Sequence, residues 1–453
     1  MENQGALRHE NISKLLIKYS VPAILAMMVT SLYNTVDRAY IGSMENVGAL
    51  AISGLGITMP LFTILGAFCV AIAVGGSTNI SIKLGEGNKE EAEKIMGSTV
   101  ALEFIVGIIM VLIGILFLDK ILYAFGASDD TIKYAKDYMS VIFAGTWFNL
   151  PGFALNSCIR GEGNPKLSAR MMITSCVLNL ILDPIFIFGL GMGIKGAAIG
   201  TVVCQLFIFI WSIYYFTFGK SNLKLRLKNI KLDKKLVKII LIIALTPFFM
   251  ELASGSIHLV TNKVLKIYGG DLSIGAMTAV TSISLMFLMP IFGLSQGMQT
   301  IIAYNYGAKQ LGRARKTLLL GILYGTIILT IGFILVKLFP KVFIGIFTKD
   351  ESLMNMAIEG INIHLTTIPI VGVSVLGSVY FQSIGKVKKS MFLSLLRQVI
   401  ILIPVIIILP KMYGLKGVWA SQPISDLFAM FIIGLFLYKE FKREKINLSE
   451  ICK

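Results

Sequence analysis

The stretch CVLNLILDPIFIFGLGMGIKGAAIGT, residues 176–201, contains ionisable and amide side chains in an unusually apolar setting. Asp183 stands directly before Pro184, and Asn179 precedes it by four residues, so that both side chains share one face of a helix. Thr201 closes the stretch with a hydroxyl group. An acid within so apolar a segment is costly and is by default a candidate functional residue.

A second acid, Asp37, lies in the segment SLYNTVDRAYIG, with Asn34 three residues earlier. At a rise of about 1.5 Å per residue, Asp37, Asp183 and Thr201 come to similar depths in the outer half of a bilayer. Two carboxylates, an amide and a hydroxyl are oxygen ligands that suit a hard cation such as Na⁺. The pattern therefore predicts a cation site, with Asp37, Asn179, Asp183 and Thr201 as the ligands of the ion.

The occupant of this site is open between Na⁺ and H⁺, although the number of oxygen ligands favours Na⁺. Two acids in a low-dielectric pocket cannot both stay charged and empty, so that either a proton or a metal ion must neutralise one of them. Structural roles are the alternative. Asp183 could cap a helix that breaks at Pro184, and Asp37 could pair with Arg38 at the membrane interface.

The composition predicts an all-α integral membrane protein. The 453 residues are 55% hydrophobic and only 15% charged, with a mean hydropathy of +0.79. Many apolar runs exceed 18 residues, which favours spanning helices over a β-barrel. The polar N-terminus lacks the pattern of a signal peptide. We expect twelve spans: 19–37, 50–80, 95–118, 138–159, 171–190, 196–217, 239–262, 273–303, 317–336, 357–380, 391–410 and 417–438.

The net charge of +17 invites a nucleic-acid partner, but the distribution of basic residues explains it better. Of 42 Lys and Arg residues, 29 fall on the side of the termini and 12 on the opposite side of the predicted spans. This bias predicts a multi-pass protein of the cell membrane with both termini in the cytoplasm, surrounded by lipid and without a nucleic-acid partner. It is strongest in KSNLKLRLKNIKLDKKLVK, residues 220–238.

Internal similarity divides the chain into two copies of one unit. LGEGNKEEAEK (84–94) aligns with YGAKQLGRARK (306–316) at an offset of 222, and GIKGAAIG (193–200) aligns with GLKGVWAS (414–421) at 221. We therefore predict an N-lobe, 1–222, with helices 1–6 and the cation site, and a C-lobe, 223–453, with helices 7–12. A basic cytoplasmic linker at about 218–238 joins them. Six spans per copy make the repeats parallel, as in transporters whose two lobes enclose a central cavity.

The second copy lacks the cation cluster. At the repeat offsets Asp37 corresponds to Asn262, Asp183 to Val405, Asn179 to Ile401 and Thr201 to Gln422. Other polar groups remain in its spans, and Arg397 can either bind substrate or pair with Asp426 or Glu251. The residues that we expect around a central substrate cavity are Asn34, Met28, Glu251, Arg397 and Asp426.

The sequence gives no sign of an enzyme. It contains neither a GxxxxGK[ST] loop nor an HExxH motif, and it has no long polar segment for a soluble domain. Its five cysteines show no CxxC spacing and are interpreted as small packing residues. We expect no covalent cofactor and no catalytic residues.

Several of these segments together resemble the multidrug and toxic compound extrusion (MATE) transporters over about residues 12–440. The resemblance is carried by YSVPAIL, NTVDRAYIG, the paired loops KLGEGN and NYGAKQ, RGEGNPK, and NLILDP followed by GIKGAAIGT. It implies twelve helices in two six-helix lobes and the export of amphipathic cationic compounds in exchange for Na⁺ or H⁺. In many members the cation site occupies positions matching Asp37, Asn179, Asp183 and Thr201, with a main-chain carbonyl nearby, here that of Ala197.

The resemblance is compatible with a second function, and the chain departs from the family pattern at one position. Lipid-linked oligosaccharide flippases belong to the same superfamily, and fold similarity alone does not separate them from drug exporters. Such a flippase needs basic groups in its cavity for phosphates, and few Lys or Arg residues lie within these spans. Some drug exporters carry a coupling acid two turns after a proline in span 7, whereas here Glu251 follows Pro247 by four residues. We expect a monomer.

Overall fold

The computed structural model describes residues 2–44, 48–348 and 350–451, and within these ranges the regular structure is helical. The first half contains α1 (Glu2–His9), α2 (Ile12–Gly42), α3 (Gly48–Gly85), α4 (Lys89–Leu116), α5 (Leu118–Ala124), α6 (Ile132–Gly161), α7 (Pro165–Pro184), a π-helical segment (Ile185–Gly189) and α8 (Gly193–Thr217). A short 3₁₀ helix (Leu227–Asn229) follows. The second half contains α9 (Lys234–Gly307), α10 (Leu311–Leu338), α11 (Pro340–Gly345), α12 (Glu351–His364), α13 (Ile368–Ser383), α14 (Val387–Leu395), a π-helical segment (Leu396–Ile401), α15 (Leu402–Tyr413) and α16 (Leu415–Ile451).

These helices account for the twelve predicted spans, and the all-α membrane fold is confirmed. Helix α9 supplies two spans because Gly270, with φ of 66°, breaks it in the middle. Ten described segments are long and apolar enough to cross a bilayer alone, and α12 with α13 forms an eleventh that bends by 55°. The remaining span is the less apolar α6, whose 30 residues are long enough to cross at about 1.5 Å each.

Two loops of the first half are built in the same way. In each, a glycine with positive φ, Gly87 or Gly163, ends one helix, and the following asparagine caps the next. The side chain of Asn88 accepts a hydrogen bond from the Glu91 amide at 3.1 Å, and that of Asn164 accepts one from Leu167 at 3.3 Å. The motif Gly-Asn in LGEGNK and RGEGNP therefore fixes where α4 and α7 begin.

The chain forms two compact units. The first comprises Met1–Glu10, Val21–Glu251 and Ala303–Lys309, and the second comprises Asn11–Ser20, Leu252–Ile302 and Gln310–Lys453. In the first unit α6 packs against α3, α4 and α8. A Cβ atom at Gly152 of α6 would lie only 3.0 Å from Cβ of Phe209 in α8, so that the two backbones approach closely. The division into transport lobes at 222 stays a prediction.

The linker after α8 is held to the first unit by Glu162. Its carboxylate accepts hydrogen bonds from Ser221 Oγ at 2.6 Å, from the Leu223 amide at 3.4 Å and from the Tyr215 hydroxyl. Burial raises the pKa of Glu162 above its ordinary value, and these donors oppose the rise. The start of the linker is thus a packed part of the first unit.

Candidate cation-binding site

Three helices of the first unit supply the four predicted cation ligands. Asp37 comes from α2, Asn179 and Asp183 come from α7, and Thr201 comes from α8. The α-helical geometry of α7 ends at Pro184, and the π-helical segment follows at once. π-Helical segments within helices often accompany functional sites.

The backbone of α8 lies directly against the two side chains of α7. A Cβ atom added to Gly200 would lie 2.5 Å from Asp183 Oδ1 and 3.6 Å from Asn179 Nδ2. No side chain larger than hydrogen fits at this position without moving the carboxylate. Gly200, which the sequence analysis did not single out, is therefore part of the wall of the site.

All four predicted ligands are buried. Asp183 is fully buried, and Asn179, Asp37 and Thr201 are exposed by only 2%, 7% and 8%. The site atoms without a hydrogen-bond partner among the described residues are Asp37 Oδ1, both side-chain polar atoms of Asn179, both carboxylate oxygens of Asp183, and Thr201 Oγ1. Burying polar atoms without partners costs roughly 1–3 kcal/mol each, so this group of oxygens is organised for something that the chain itself does not supply.

The two carboxyl groups face each other. Asp37 and Asp183 lie close enough to interact directly, and Asn179 adjoins Asp183. Arg38, the alternative partner of Asp37, acts on this acid electrostatically, while its guanidinium Nη2 lies 3.7 Å from Met59 Sδ. The four side chains that the sequence assigned to one site are thus brought together.

Two tyrosines that sequence reasoning missed complete the polar surroundings. The hydroxyl of Tyr138, on α6, is close to Thr201 and within electrostatic reach of both acids. Tyr33 lies one helical turn before Asp37 on α2 and is also near both acids. The spacing of four residues between Tyr33 and Asp37 was a signal available in the sequence, whereas Tyr138 had no such marker.

Ala197 is fully buried in α8, one helical turn before Thr201. Asn34 lies in α2, but its side chain is outside the described residues.

The chemistry of the site suits a hard monovalent cation. Within the described ranges no group of three or more His, Cys, Asp or Glu side chains is placed to hold a metal ion. The site offers two carboxylates with neutral amide and hydroxyl oxygens instead. Such a donor set fits Na⁺, and either carboxylate could alternatively hold a proton.

The residues predicted around a substrate cavity fall in different surroundings. Met28 is 48% exposed on α2, and Glu251 is half-buried in α9. Arg397 and Asp426 form an ion pair in the second unit, with Arg397 Nη1 3.1 Å from Asp426 Oδ1. The pairing of Arg397 with Asp426, one of the two predicted alternatives, is the one that the structure contains.

This ion pair borders a cavity of roughly 370 Å³ within the second unit. Gln422 donates to Asp426 Oδ1 at 3.1 Å, and Asn262 and His364 also line the space. The His364 Nδ1 atom is buried without a hydrogen-bond partner among the described residues. The π-helical segment Leu396–Ile401 carries Arg397 into this cavity.

Sequence reasoning also missed Glu103, a further buried acid of the first unit. Glu103 lies on α4 and is fully buried, and neither of its carboxylate oxygens has a hydrogen-bond partner among the described residues. Its neighbours include Cys69 and Cys158. A glutamate inside the apolar run GSTVALEFIVGIIM was a visible signal.

Comparison with known proteins identifies the family. The family model described as MatE matches residues 22–185 and 247–408, once in each predicted repeat. The chain belongs to the MATE family of efflux transporters. The relatives that the comparison finds are named as transporters.

Individual relatives align over nearly the full length of the chain. The "Multidrug export protein MepA" of Staphylococcus haemolyticus (strain JCSC1435) is 27% identical over 450 residues, which is 97% of each chain. A solved structure of the "MATE multidrug transporter DinF-BH" is 35% identical, with a TM-score of 0.87 over 94% of this chain and 95% of that one. An "outward-facing conformation of a multidrug resistance MATE family transporter" reaches a TM-score of 0.93 at 22% identity over 98% and 99%, and shows the fold alone.

Proposed function

We propose that this protein exports amphipathic cationic drugs from the cell by antiport with Na⁺ or H⁺. Support for the class of substrate comes from the relatives, which are named multidrug export proteins and align over nearly their whole length. Membership of the MATE family makes the protein a transporter. The coupling ion, the drugs and the alternation between inward-open and outward-open states belong to the proposal.

The single observation that carries the coupling is the buried group of Asp37, Asn179, Asp183 and Thr201. Oxygens of all four have no hydrogen-bond partners among the described residues, and two of these residues are acids facing each other. A bound Na⁺ or proton cancels charge in the acid pair and supplies missing contacts. Because α2 and α7 carry the acids, the occupant favours one packing of these helices over another, which is the requirement for an ion-driven switch.

In this proposal the protein works in the cell membrane with both termini in the cytoplasm and as a monomer. Its substrates are small amphipathic cations, and export alternates between two lobes around a central cavity. The lipid-linked flippase receives less support. Arg397, the clearest basic side chain within the predicted spans, is paired with Asp426 and so is not free for a phosphate.

Transport in everted membrane vesicles tests the proposal. Accumulation of a cationic dye is measured while a sodium gradient or a pH gradient is imposed separately. We expect one of the two gradients to drive accumulation. An ion whose free concentration is 100 times its Kd supplies about 2.7 kcal/mol of the free energy of switching. We therefore expect Asp183→Asn, which removes an ion ligand, to lower the gradient-driven rate by on the order of 100-fold.

The matched control is Asp130→Asn, which removes the same charge from an exposed position. It should transport like the wild type. In parallel, NaCl should raise the unfolding temperature of the purified wild type more than choline chloride does if Na⁺ is the occupant. Undiminished gradient-driven export by Asp183→Asn would remove the basis for the proposed coupling.

A further inference from the structure

A second site in the first unit is an apolar groove under the linker. Its volume is roughly 370 Å³, and every residue that lines it is apolar. Helices α4, α6 and α8 form its walls and two linker residues complete it, the lining including Ala101, Phe104, Leu155, Phe209, Leu225 and Ile230. We call this space the linker groove.

The linker groove opens on the surface that faces lipid. Phe104 and Ile105 line the groove and are 38% and 39% exposed. Along α4 the exposed apolar stripe continues through Ile108 and Leu112, and on α8 Ile210 is 58% exposed. Apolar side chains exposed in this way along spanning helices contact the hydrocarbon of the bilayer. An acyl chain can therefore enter the groove from the side.

The linker places positive charge at one end of the groove. Residues 220–238 contain eight Lys or Arg residues and one acid, Asp233. Arg226 pairs with Glu93 of α4 at 3.5 Å, whereas Lys228 and Lys231 are exposed and form no ion pair among the described residues, although Glu90 of α4 is within electrostatic reach of Lys228. These two lysines flank Ile230, which lines the groove.

One leucine of the linker has an exposed side chain. Leu227 is 88% exposed between Arg226 and Lys228, in the short 3₁₀ helix. A leucine between two cations is unfavourable in water but suits the boundary between headgroups and acyl chains, where apolar and basic groups are both satisfied. The groove is lined by the second halves of α6 and α8, by the middle of α4 and by Leu225 and Ile230 of the linker, so the groove begins on the side of the membrane where the linker charges lie.

We propose that the linker groove binds an anionic phospholipid, with an acyl chain along α4 and α8 and the phosphate against Lys228 and Lys231. The apolar lining accepts the chain, and the two exposed lysines distinguish an anionic headgroup from a zwitterionic one. Each basic residue close to the membrane surface contributes about a fivefold change in the binding constant of an anionic lipid. This site is separate from the cation site and does not depend on the substrate that the protein exports.

Native mass spectrometry of the detergent-purified full chain tests the proposal. Dioleoylphosphatidylglycerol and dioleoylphosphatidylcholine are titrated separately, and the fraction of protein with bound lipid is measured. The wild type should bind phosphatidylglycerol on the order of tenfold more tightly than phosphatidylcholine. The double variant Lys228→Gln, Lys231→Gln should lose this preference.

Two variants test the acyl-chain part of the site. Ala101→Phe fills the groove, and Ile230→Asp puts a charge at its mouth without altering a spanning helix. Both should weaken the binding of both lipids at least tenfold, and thermal unfolding checks that each variant is folded. If Ala101→Phe fails to fold, the result with Ile230→Asp decides.

The control double variant is Lys120→Gln, Lys133→Gln. It removes two exposed lysines near the start of α6, which is roughly 45 Å long and ends beside the linker. This control should bind both lipids like the wild type. Equal binding of the two lipids by the wild type, unchanged binding by the groove variants, or an equal loss in the control would each overturn the proposal.

Discussion

The two halves of the chain differ in the side chains that lie next to their buried acids. In the first unit Asp37 and Asp183 lie beside each other, and the Arg38 guanidinium acts on Asp37 electrostatically without a hydrogen bond to it. In the second unit Asp426 is buried beside Arg397 at 3.1 Å. The cavity next to this pair is lined by Asn262 and Gln422, the repeat equivalents of Asp37 and Thr201.

The two copies of the repeat therefore carry two kinds of electrostatic centre. Arg397 is a cation that belongs to the second unit itself, and its Nη1 atom lies 3.1 Å from Asp426 Oδ1. In the first unit Arg38 acts on Asp37 only electrostatically and directs Nη2 toward Met59 Sδ, so that in our proposal the charge that neutralises the acid pair comes from solution and leaves again. One centre is therefore suited to stabilising the fold, and the other to responding to an ion.

The largest expected effect comes from removing the attached cation. Arg397→Gln leaves Asp426, which is 3% exposed, without its counter-charge. Breaking a buried ion pair from one side costs about 3–5 kcal/mol. We expect the thermal unfolding temperature of the purified protein at neutral pH to fall accordingly.

The double variant Arg397→Gln, Asp426→Asn is the control for this effect. Because it removes both charges, most of the lost stability should return. Asp183→Asn should lack a comparable cost, because it relieves the repulsion within the acid pair. Equal destabilisation by the single and the double variant would show that Arg397 acts through packing rather than through its charge.

The spans and part of the candidate site could be predicted from the sequence. The twelve spans followed from long apolar runs, and the meeting of Asp37 with Asp183 followed from counting residues to a common depth. Depth does not give the direction in which a helix presents its side chains to its neighbours. Tyr138 and Gly200 were therefore missed, although both adjoin the site.

For a related reason, the sequence alone did not decide which acid pairs with Arg397 in the second unit. Arg397 had two possible acidic partners in sequence, Asp426 and Glu251. Which of them it meets depends on the packing of α16 against the π-helical segment that carries Arg397, and no local pattern encodes this contact. Glu103 could have been found, since an acid in an apolar span is visible without any structure.

A smaller effect is expected from closing the space between α8 and the acids. In Gly200→Ala the new methyl group meets Asp183 Oδ1 at 2.5 Å, and overpacking of this kind costs roughly 1–3 kcal/mol. We expect the sodium-dependent or pH-dependent dye transport to fall by about tenfold while the protein still folds.

Gly66→Ala is the matched control, since a methyl group there meets nothing within 4 Å. If both variants transport alike, the close approach of Gly200 to Asp183 has no part in coupling.

The smallest expected effect concerns the tyrosine hydroxyl beside Thr201. Tyr138→Phe keeps the ring that packs in the first unit and removes the hydroxyl near Thr201, and a neutral hydrogen bond formed there when an ion binds would contribute about 0.5–1.5 kcal/mol. If this hydroxyl orients Thr201 toward a cation, the concentration of the driving ion that gives half-maximal transport should rise by less than about tenfold, and the maximal rate should stay the same. Tyr134→Phe, on the same helix, serves as the control for the loss of a hydroxyl. A lower maximal rate with an unchanged half-maximal ion concentration would instead assign Tyr138 to the conformational change, because ion binding would then need no help from its hydroxyl.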